Sequence, residues 1–260
     1  MDRSLPGADL VERGLADLDG AVESVESLLV SIGAPRLRAL GIRVEGAFPD
    51  PERRLFDRLA TDDSDSAHSR YNALIRRLVS FERALDCDPA DLSRVRRFMR
   101  ALGERAGESA RVYLTGGATA VLHGWRNSTI DVDVKLVPER DELFRAIADL
   151  KERLRLNVEL ASPADFIPVR PDWEDRSPFI AQEGRLSFHH FDLCAQALSK
   201  IERGHVQDRQ DVDALLERGL VTREELFAYF EAIAPGLHRY PAIDPMSFRA
   251  RVERVARPTM

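Results

Sequence analysis

Cysteine is nearly missing from this chain. Cys87 and Cys194 are its two cysteines; they lie far apart and match no metal-ligand spacing, which excludes a disulfide framework and fits a reducing compartment. Also missing is any apolar run near the eighteen or so residues of a membrane span. The start Met1-Asp2-Arg3 lacks the pattern of a signal peptide. A cytoplasmic protein with no membrane partner is therefore expected. An excess of positive charge is absent too: 38 basic and 44 acidic residues leave a formal net charge of −6, so no global field draws in nucleic acid from a distance. There are no internal repeats or low-complexity tracts. What is present is 44% hydrophobic content over 260 residues, enough for one large domain or for a catalytic domain with a helical extension.

The apolar periodicity divides the chain near residue 88. Before that point it is helical throughout. Leu10, Leu15, Leu18, Val22, Val25, Leu28 and Leu29 form an approximate stripe, broken near Gly20 and stopped at Gly33-Ala34-Pro35. A short helix over Arg36 to Leu40, a connection from Gly41 to Pro51 and a polar capping loop over Thr61 to Ser66 are expected next. A long helix from Ala67 to about Leu85 then aligns Tyr71, Leu74, Ile75, Leu78 and Val79, with Arg76, Arg77 and Arg83 turned elsewhere. Residues 1–87 are thus read as a helical module, 88–240 as the main domain and 241–260 as a C-terminal tail.

Asp88-Pro89 is a helix-start signal, because aspartate accepts from free N–H groups and proline has none to lose. The helix it predicts carries Leu92, Val95, Phe98, Met99 and Leu102 as far as Gly103. A strand from Arg111 to Leu114 follows, then the turn Thr115-Gly116-Gly117-Ala118-Thr119 and a helix. Bare backbone N–H groups in such a turn suit a phosphate. Ile130-Asp131-Val132-Asp133-Val134 alternates strictly, which puts both aspartates on one face and the three apolar residues on the other. Two unit charges about 5 Å apart repel by roughly 3 kcal/mol at an effective dielectric near 20. A divalent cation carrying phosphate oxygens offsets that repulsion; the plain alternative is the wet face of an edge strand.

An amphipathic helix over Asp141 to Leu154 completes the order helix, strand, helix, strand, helix, strand, which predicts a small α/β sheet. In Leu156-Asn157-Val158-Glu159-Leu160 the alternation turns Glu159 outward, making it the favoured third acid; Asp165, in a Pro-containing segment suited to a loop or helix start, is the competitor. Leu186 to Phe191 reads as a strand whose His189 and His190 point to opposite faces, a poor metal pair. Asp192 opens a helix with Ser199 and Lys200 on its exposed side, Lys200 being a candidate phosphate contact. Asp208 and Asp211 lie three apart, on one side of a helix, with Val212, Leu215 and Leu216 turned inward. Taken singly they read as surface charges.

Together, Gly116-Gly117-Ala118, His123-Gly124, Arg126, Thr129-Ile130-Asp131-Val132-Asp133, Lys200 and the Asp208/Asp211 pair resemble the minimal nucleotidyltransferases of the polymerase-beta superfamily, over about residues 90 to 240. Within it they resemble a bacterial branch similar to the abortive-infection nucleotidyltransferase toxins of toxin–antitoxin systems. The resemblance implies an α/β (α+β) fold in which a mixed sheet is flanked by helices. It implies a nucleoside triphosphate held by Thr115, Gly116, Gly117, Thr119 and Arg126, with Asp131 and Asp133 on two Mg2+ or Mn2+ ions; Glu159, the third metal ligand read from strand alternation, is a glutamate that departs from the family pattern. Lys200 would contact phosphate, and Asp208 or Asp211 would complete the site. The acceptor would be a hydroxyl of an RNA 3′ end, a protein or a small molecule, and an antitoxin or other protein would be a partner. A catalytically inactive nucleotide- or partner-binding module is the alternative. Gly117 stands where many members have serine, so Thr115 or Thr119 is expected to supply the hydroxyl. Residues 1–87 match no characterised module and are read as a fused regulatory or partner domain.

Overall fold

The structure, a computed structural model, describes residues 5, 7–62 and 67–256. Met1 to Arg3 and most of the capping loop expected over Thr61 to Ser66 fall outside the described residues. The chain forms one compact unit up to Asp88 and another from Pro89 onward.

The first unit contains helices α1 (Ala8–Asp19), α2 (Val25–Ala39), α3 (Pro51–Asp62) and α4 (Ala67–Asp86) around a core that includes Leu28, Leu29, Leu37, Leu55 and Phe81. The break near Gly20 is present. The expected stop at Gly33-Ala34-Pro35 is not, because α2 runs through Pro35 to Ala39. Proline in a helix leaves the carbonyl four residues earlier without its donor, and the burial of Ala34 and Leu37 on either side of it offsets that loss. Helix α3 was illegible for a different reason: Leu55 and Leu59 are its only fully buried apolar side chains among the described residues, too short a stripe to establish a period.

The second unit opens with strand β1 (Ala90–Asp91) and helix α5 (Leu92–Gly103). Asp91, not Asp88, caps α5, its carboxylate accepting from the Arg94 N–H at 2.9 Å. The chain first uses Ala90 and Asp91 to pair with Thr129 and Ser128, which delays the helix. Then follow β2 (Ala110–Thr115), α6 (Gly116–Leu122), β3 (Ser128–Thr129), β4 (Asp131–Val137), α7 (Asp141–Leu154), β5 (Asn157–Leu160), β6 (Phe179–Glu183) and β7 (Leu186–His190). Helices α8 (Leu193–Arg203), α9 (Val206–Glu217), α10 (Arg223–Ile233) and α11 (Pro245–Ala256) finish the described chain.

Five strands form a mixed sheet in the order β5-β4-β2-β7-β6. Strands β2 and β4 run antiparallel, as do β6 and β7, while β2/β7 and β4/β5 are parallel. The α+β class with a mixed sheet and flanking helices is what the sequence and its resemblance imply. One face of the sheet buries Val112, Leu114, Val132, Val134 and Phe188 against Val95 and Phe98 of α5 and Leu143 and Ile147 of α7. Tyr113 and Phe191 belong to a second cluster with Leu198, Tyr229 and Phe230. Ile243, Phe248 and Val252 are buried in that same cluster, so the stretch read as a tail contributes to the core. The edge strand β6 lacked a signal because its first residue, Phe179, is 61% exposed and its burial does not alternate.

Candidate active site

Strand pairing brings the acids together. Thr115 of β2 and Glu159 of β5 are the registered neighbours of Asp133, and Asn157 is that of Asp131. Registered neighbours share a sheet face, so Asp131, Asp133, Glu159 and Asn157 converge with the end of β2. This follows from the apolar faces: Val132 opposite Val158 and Val134 opposite Leu114 fix the register, because a one-residue slip would turn the valines to solvent.

Asn157 is buried, and its Nδ2 donates to Asp131 Oδ1 at 2.6 Å and to Glu159 Oε1 at 3.2 Å. Its own Oδ1 is buried without a partner. Asp133 is half-buried, and its pKa is raised from 3.8 to about 7, first by loss of solvent and then by the charges of Asp131 and Glu159, against the pull of Arg203 and Lys200. Three acids and an orphaned acceptor oxygen thus share one face of the paired strands β4 and β5. Among the described residues no three of His, Cys, Asp and Glu are gathered into a set that could hold a metal by themselves. Magnesium asks for less: one or two carboxylates, with phosphate oxygens and water making up the rest. Asp131 and Asp133 fit that demand.

The glycine turn is built around the same carboxylates. Gly116 has φ 59°, in the left-handed region, and a Cβ there would lie 2.8 Å from Asp133 Oδ2. Its N–H donates to Gln196 Oε1 on α8 at 2.9 Å, so that donor is already used. A Cβ on Gly117 would lie 1.9 Å from Thr129 Oγ1. That contact explains why serine is missing here: the strand β3 hydroxyl fills the space a side chain would need. Gly117→Ser is expected to lower stability by about 1–3 kcal/mol through overpacking, read as a reduced midpoint in urea; an unchanged midpoint would refute the close approach.

Of the two threonines expected to replace that hydroxyl, Thr119 is turned into the core. Its Oγ1 donates to the Leu114 carbonyl at 3.2 Å and meets Gln196 Nε2 at 3.2 Å and His190 Nδ1 at 3.1 Å. Thr115 is buried beside Asp133 at the N-terminus of α6, and its side chain makes no capping bond. His190 is stacked on His123 at 4.3 Å and kept neutral, its pKa pushed down to about 3 by burial and then by His123 and His189.

Lys200, expected on an exposed face, is 7% exposed. It is covered because α9 packs on α8 and brings acids to it. Its Nζ donates to Asp211 Oδ2 at 2.5 Å and to Asp208 Oδ1 at 3.5 Å. Asp208 and Asp211 are likewise buried rather than surface charges. Arg203 donates through Nε to Asp208 Oδ2 at 2.8 Å, and Arg126 donates through Nε to Asp211 Oδ1 at 2.8 Å. Trp125 Nε1 adds a further bond to Asp211 Oδ1 at 3.0 Å. Together with the second Arg126 nitrogen on Oδ2, these donors use the roughly four acceptor positions of a carboxylate. Lys200, Arg126, Arg203, Asp208 and Asp211 therefore form one ion network, from which Arg203 and Lys200 reach Asp133 through their field. Asp165 instead caps a 3-10 turn at Pro163–Asp165, accepting from the Ser162 N–H at 2.7 Å.

Sequence reasoning passed over Asn157, Gln196 and Arg203, and quoted Thr129 within the acidic motif without its contact to Gly117. Asn157 carried a usable signal, since it stands two residues from Glu159 on the same strand face. Gln196 and Thr129 act on residues 80 and 12 positions away and carried none.

A glycine turn is thus set against paired strand aspartates on a mixed sheet flanked by helices. The chain belongs to the family described as nucleotidyltransferase of unknown function (DUF6036), whose model matches residues 90–228. That span holds the glycine turn, the acids and the ion network. No curated protein and no solved structure matches the chain. Among the described residues no helix is long and apolar enough to cross a membrane.

Proposed function

We propose that the second unit transfers a nucleoside monophosphate from a nucleoside triphosphate to an acceptor hydroxyl, with Mg2+ or Mn2+ held by Asp131 and Asp133. The observation that carries this reading is the register of Asp133, flanked by Thr115 at the glycine turn on one side and by Glu159 on the other. In the reaction an acceptor oxygen attacks the α-phosphorus in line, the bond to pyrophosphate breaks, and the hydroxyl proton passes to a base. Divalent ions held at Asp131 and Asp133 would supply positive charge for the attacking hydroxyl and the leaving pyrophosphate. Asp131 and Asp133 orient them, and Asn157 holds Asp131 and Glu159 in place through its amide. Glu159 is the carboxylate left to take the proton. The Gly116 backbone, fixed by Gln196, leaves the turn without a side chain and open to the triphosphate. Lys200 and Arg203 contribute positive potential from the ion network and are held by Asp208 and Asp211, not by the substrate.

The test is to incubate the full chain with each α-labelled nucleoside triphosphate and Mg2+ or Mn2+, with and without total RNA, while following pyrophosphate release. Transfer of label to an acceptor with matching pyrophosphate is expected. Nucleotide binding with no pyrophosphate released would replace this reading with a binding module. The mutual satisfaction of Lys200 and Asp211 is the observation that favours that second reading.

A further inference from the structure

Most arginines of the second unit are engaged with acids or carbonyls, as Arg126, Arg176 and Arg203 are. Helix α5 gathers three that are not. It carries Arg94, Arg96, Arg97 and Arg100 and no acid, in a chain of net charge −6. Arg94 is bound to the Leu154 and Arg155 carbonyls. Arg96, Arg97 and Arg100 are exposed, and among the described residues none of them has a side-chain hydrogen bond or ion pair.

Arg96 and Arg100 stand four apart, so they share a helix face at a cost in mutual repulsion. Both line an open groove of about 500 Å³, together with Asn127, Asp91, Leu92 and Ser93. The Asp91 carboxylate there is already engaged by the Arg94 N–H and the Ser93 hydroxyl. The groove therefore presents two guanidiniums with a single, satisfied carboxylate. Asn127 is two residues before Thr129, which packs on Gly117, and four before Asp131. The chain spans at most about 7 Å and about 14 Å over those intervals. The groove thus opens beside the glycine turn and the acids.

We infer that this groove binds the phosphate backbone of a single-stranded RNA whose 3′ hydroxyl is the acceptor at Asp131 and Asp133. The guanidiniums pair with successive phosphodiesters, and Asn127 offers an amide to a sugar or base edge. Recruitment is local, which suits an acidic protein that has no long-range attraction for RNA. Naming this RNA as acceptor rests on the transferase reading; the binding itself does not.

The test is fluorescence anisotropy of a labelled single-stranded RNA oligonucleotide with the full chain across a salt series. Wild type is compared with Arg96→Gln/Arg100→Gln, and with Arg254→Gln as an exposed control. Each lost phosphate contact on a single strand removes about 0.7 from the slope of log K against log salt. The double variant is therefore expected to bind about tenfold more weakly at low salt, with a slope shallower by about 1.4. Its melting midpoint and its affinity for Mg-ATP are expected to be unchanged. The inference is overturned if wild type binds no RNA at low salt, which leaves protein or small-molecule acceptors. It is also overturned if the double variant keeps wild-type affinity and slope, or if Arg254→Gln loses as much. Loss of Mg-ATP or tripolyphosphate binding with RNA binding intact would overturn it too, assigning the groove to the nucleotide's own phosphates. RNA binding that changes as expected in a protein releasing no pyrophosphate would uphold the groove and fail the transferase reading, so the two are separable.

Discussion

Asp133→Asn is expected to abolish nucleotidyl transfer and at the same time to make the protein more stable above neutral pH. Loss of activity follows from removing one of the two carboxylates that orient the metal, and should reach about 10³-fold, the scale seen when a charge-stabilising group is lost. Asp131→Ala should lose transfer to a similar extent. The gain in stability follows from the pKa, which rises from 3.8 to about 7 in the folded protein, chiefly through burial and then through Asp131 and Glu159. Below about pH 4 both folded and unfolded chains keep the proton, and the group has no effect on stability. Between about pH 4 and 7 the unfolded chain releases the proton first, so folding becomes less favourable as pH rises. Above pH 7 the folded protein carries the full cost of a charged Asp133, up to about 4 kcal/mol. Asparagine cannot ionise and escapes it.

Melting curves from pH 4 to 8 should therefore diverge, coinciding at the acid end and separating in favour of the variant at the basic end. Mg2+ added at pH 8 should raise the wild-type midpoint by binding the folded acids and leave that of the variant nearly unmoved. A variant that melts below wild type at pH 8 would contradict the electrostatic account. Wild-type label transfer in both Asp131→Ala and Asp133→Asn would end the proposed chemistry. Because the inactive protein is expected to be the more stable one, lost activity cannot be mistaken for lost folding.

What could be read in advance divides by the distance over which each feature is decided. The placement of Asp131 and Asp133 on one face is a two-residue property and was legible from alternation alone. The position of Glu159 needed the pairing of Val132 with Val158, which alternation suggests and only the sheet supplies. At Gly117 the missing hydroxyl was visible, while its cause, Thr129 Oγ1 in the space of a side chain, belongs to another strand. Lys200 read as exposed because Ser199 and Lys200 sit on the polar flank of α8. Its burial depends on α9, whose Asp208 and Asp211 looked like surface charges for the same reason. Helix propensity at Asp88-Pro89 gave the right element with the wrong cap, since strand pairing of Ala90 and Asp91 is not a local preference.

Asp211→Ala tests the network that these long-range contacts built. Asp211 is 1% exposed and accepts from Lys200, Arg126 and Trp125. Removing it strands the buried Lys200 ammonium with only the 3.5 Å contact to Asp208, and it leaves Arg126, whose side chain is 19% exposed, without its partner. Breaking a buried pair from one side costs about 3–5 kcal/mol, because the remaining charge stays in a poor solvent. In a unit of this size that should lower the melting midpoint by about 10 °C or more. Asp208→Ala is the internal comparison. Its chief partner, Arg203, has a side chain that is 56% exposed, so the freed guanidinium can turn to water, and Lys200 keeps Asp211. A loss nearer 1 kcal/mol is expected there. Equal losses in the two variants would show that burial of the cation does not set the cost. A small loss in Asp211→Ala would mean that Lys200 finds a new partner, and the acids at Asp133, whose field it already shares, are the group to which it would turn.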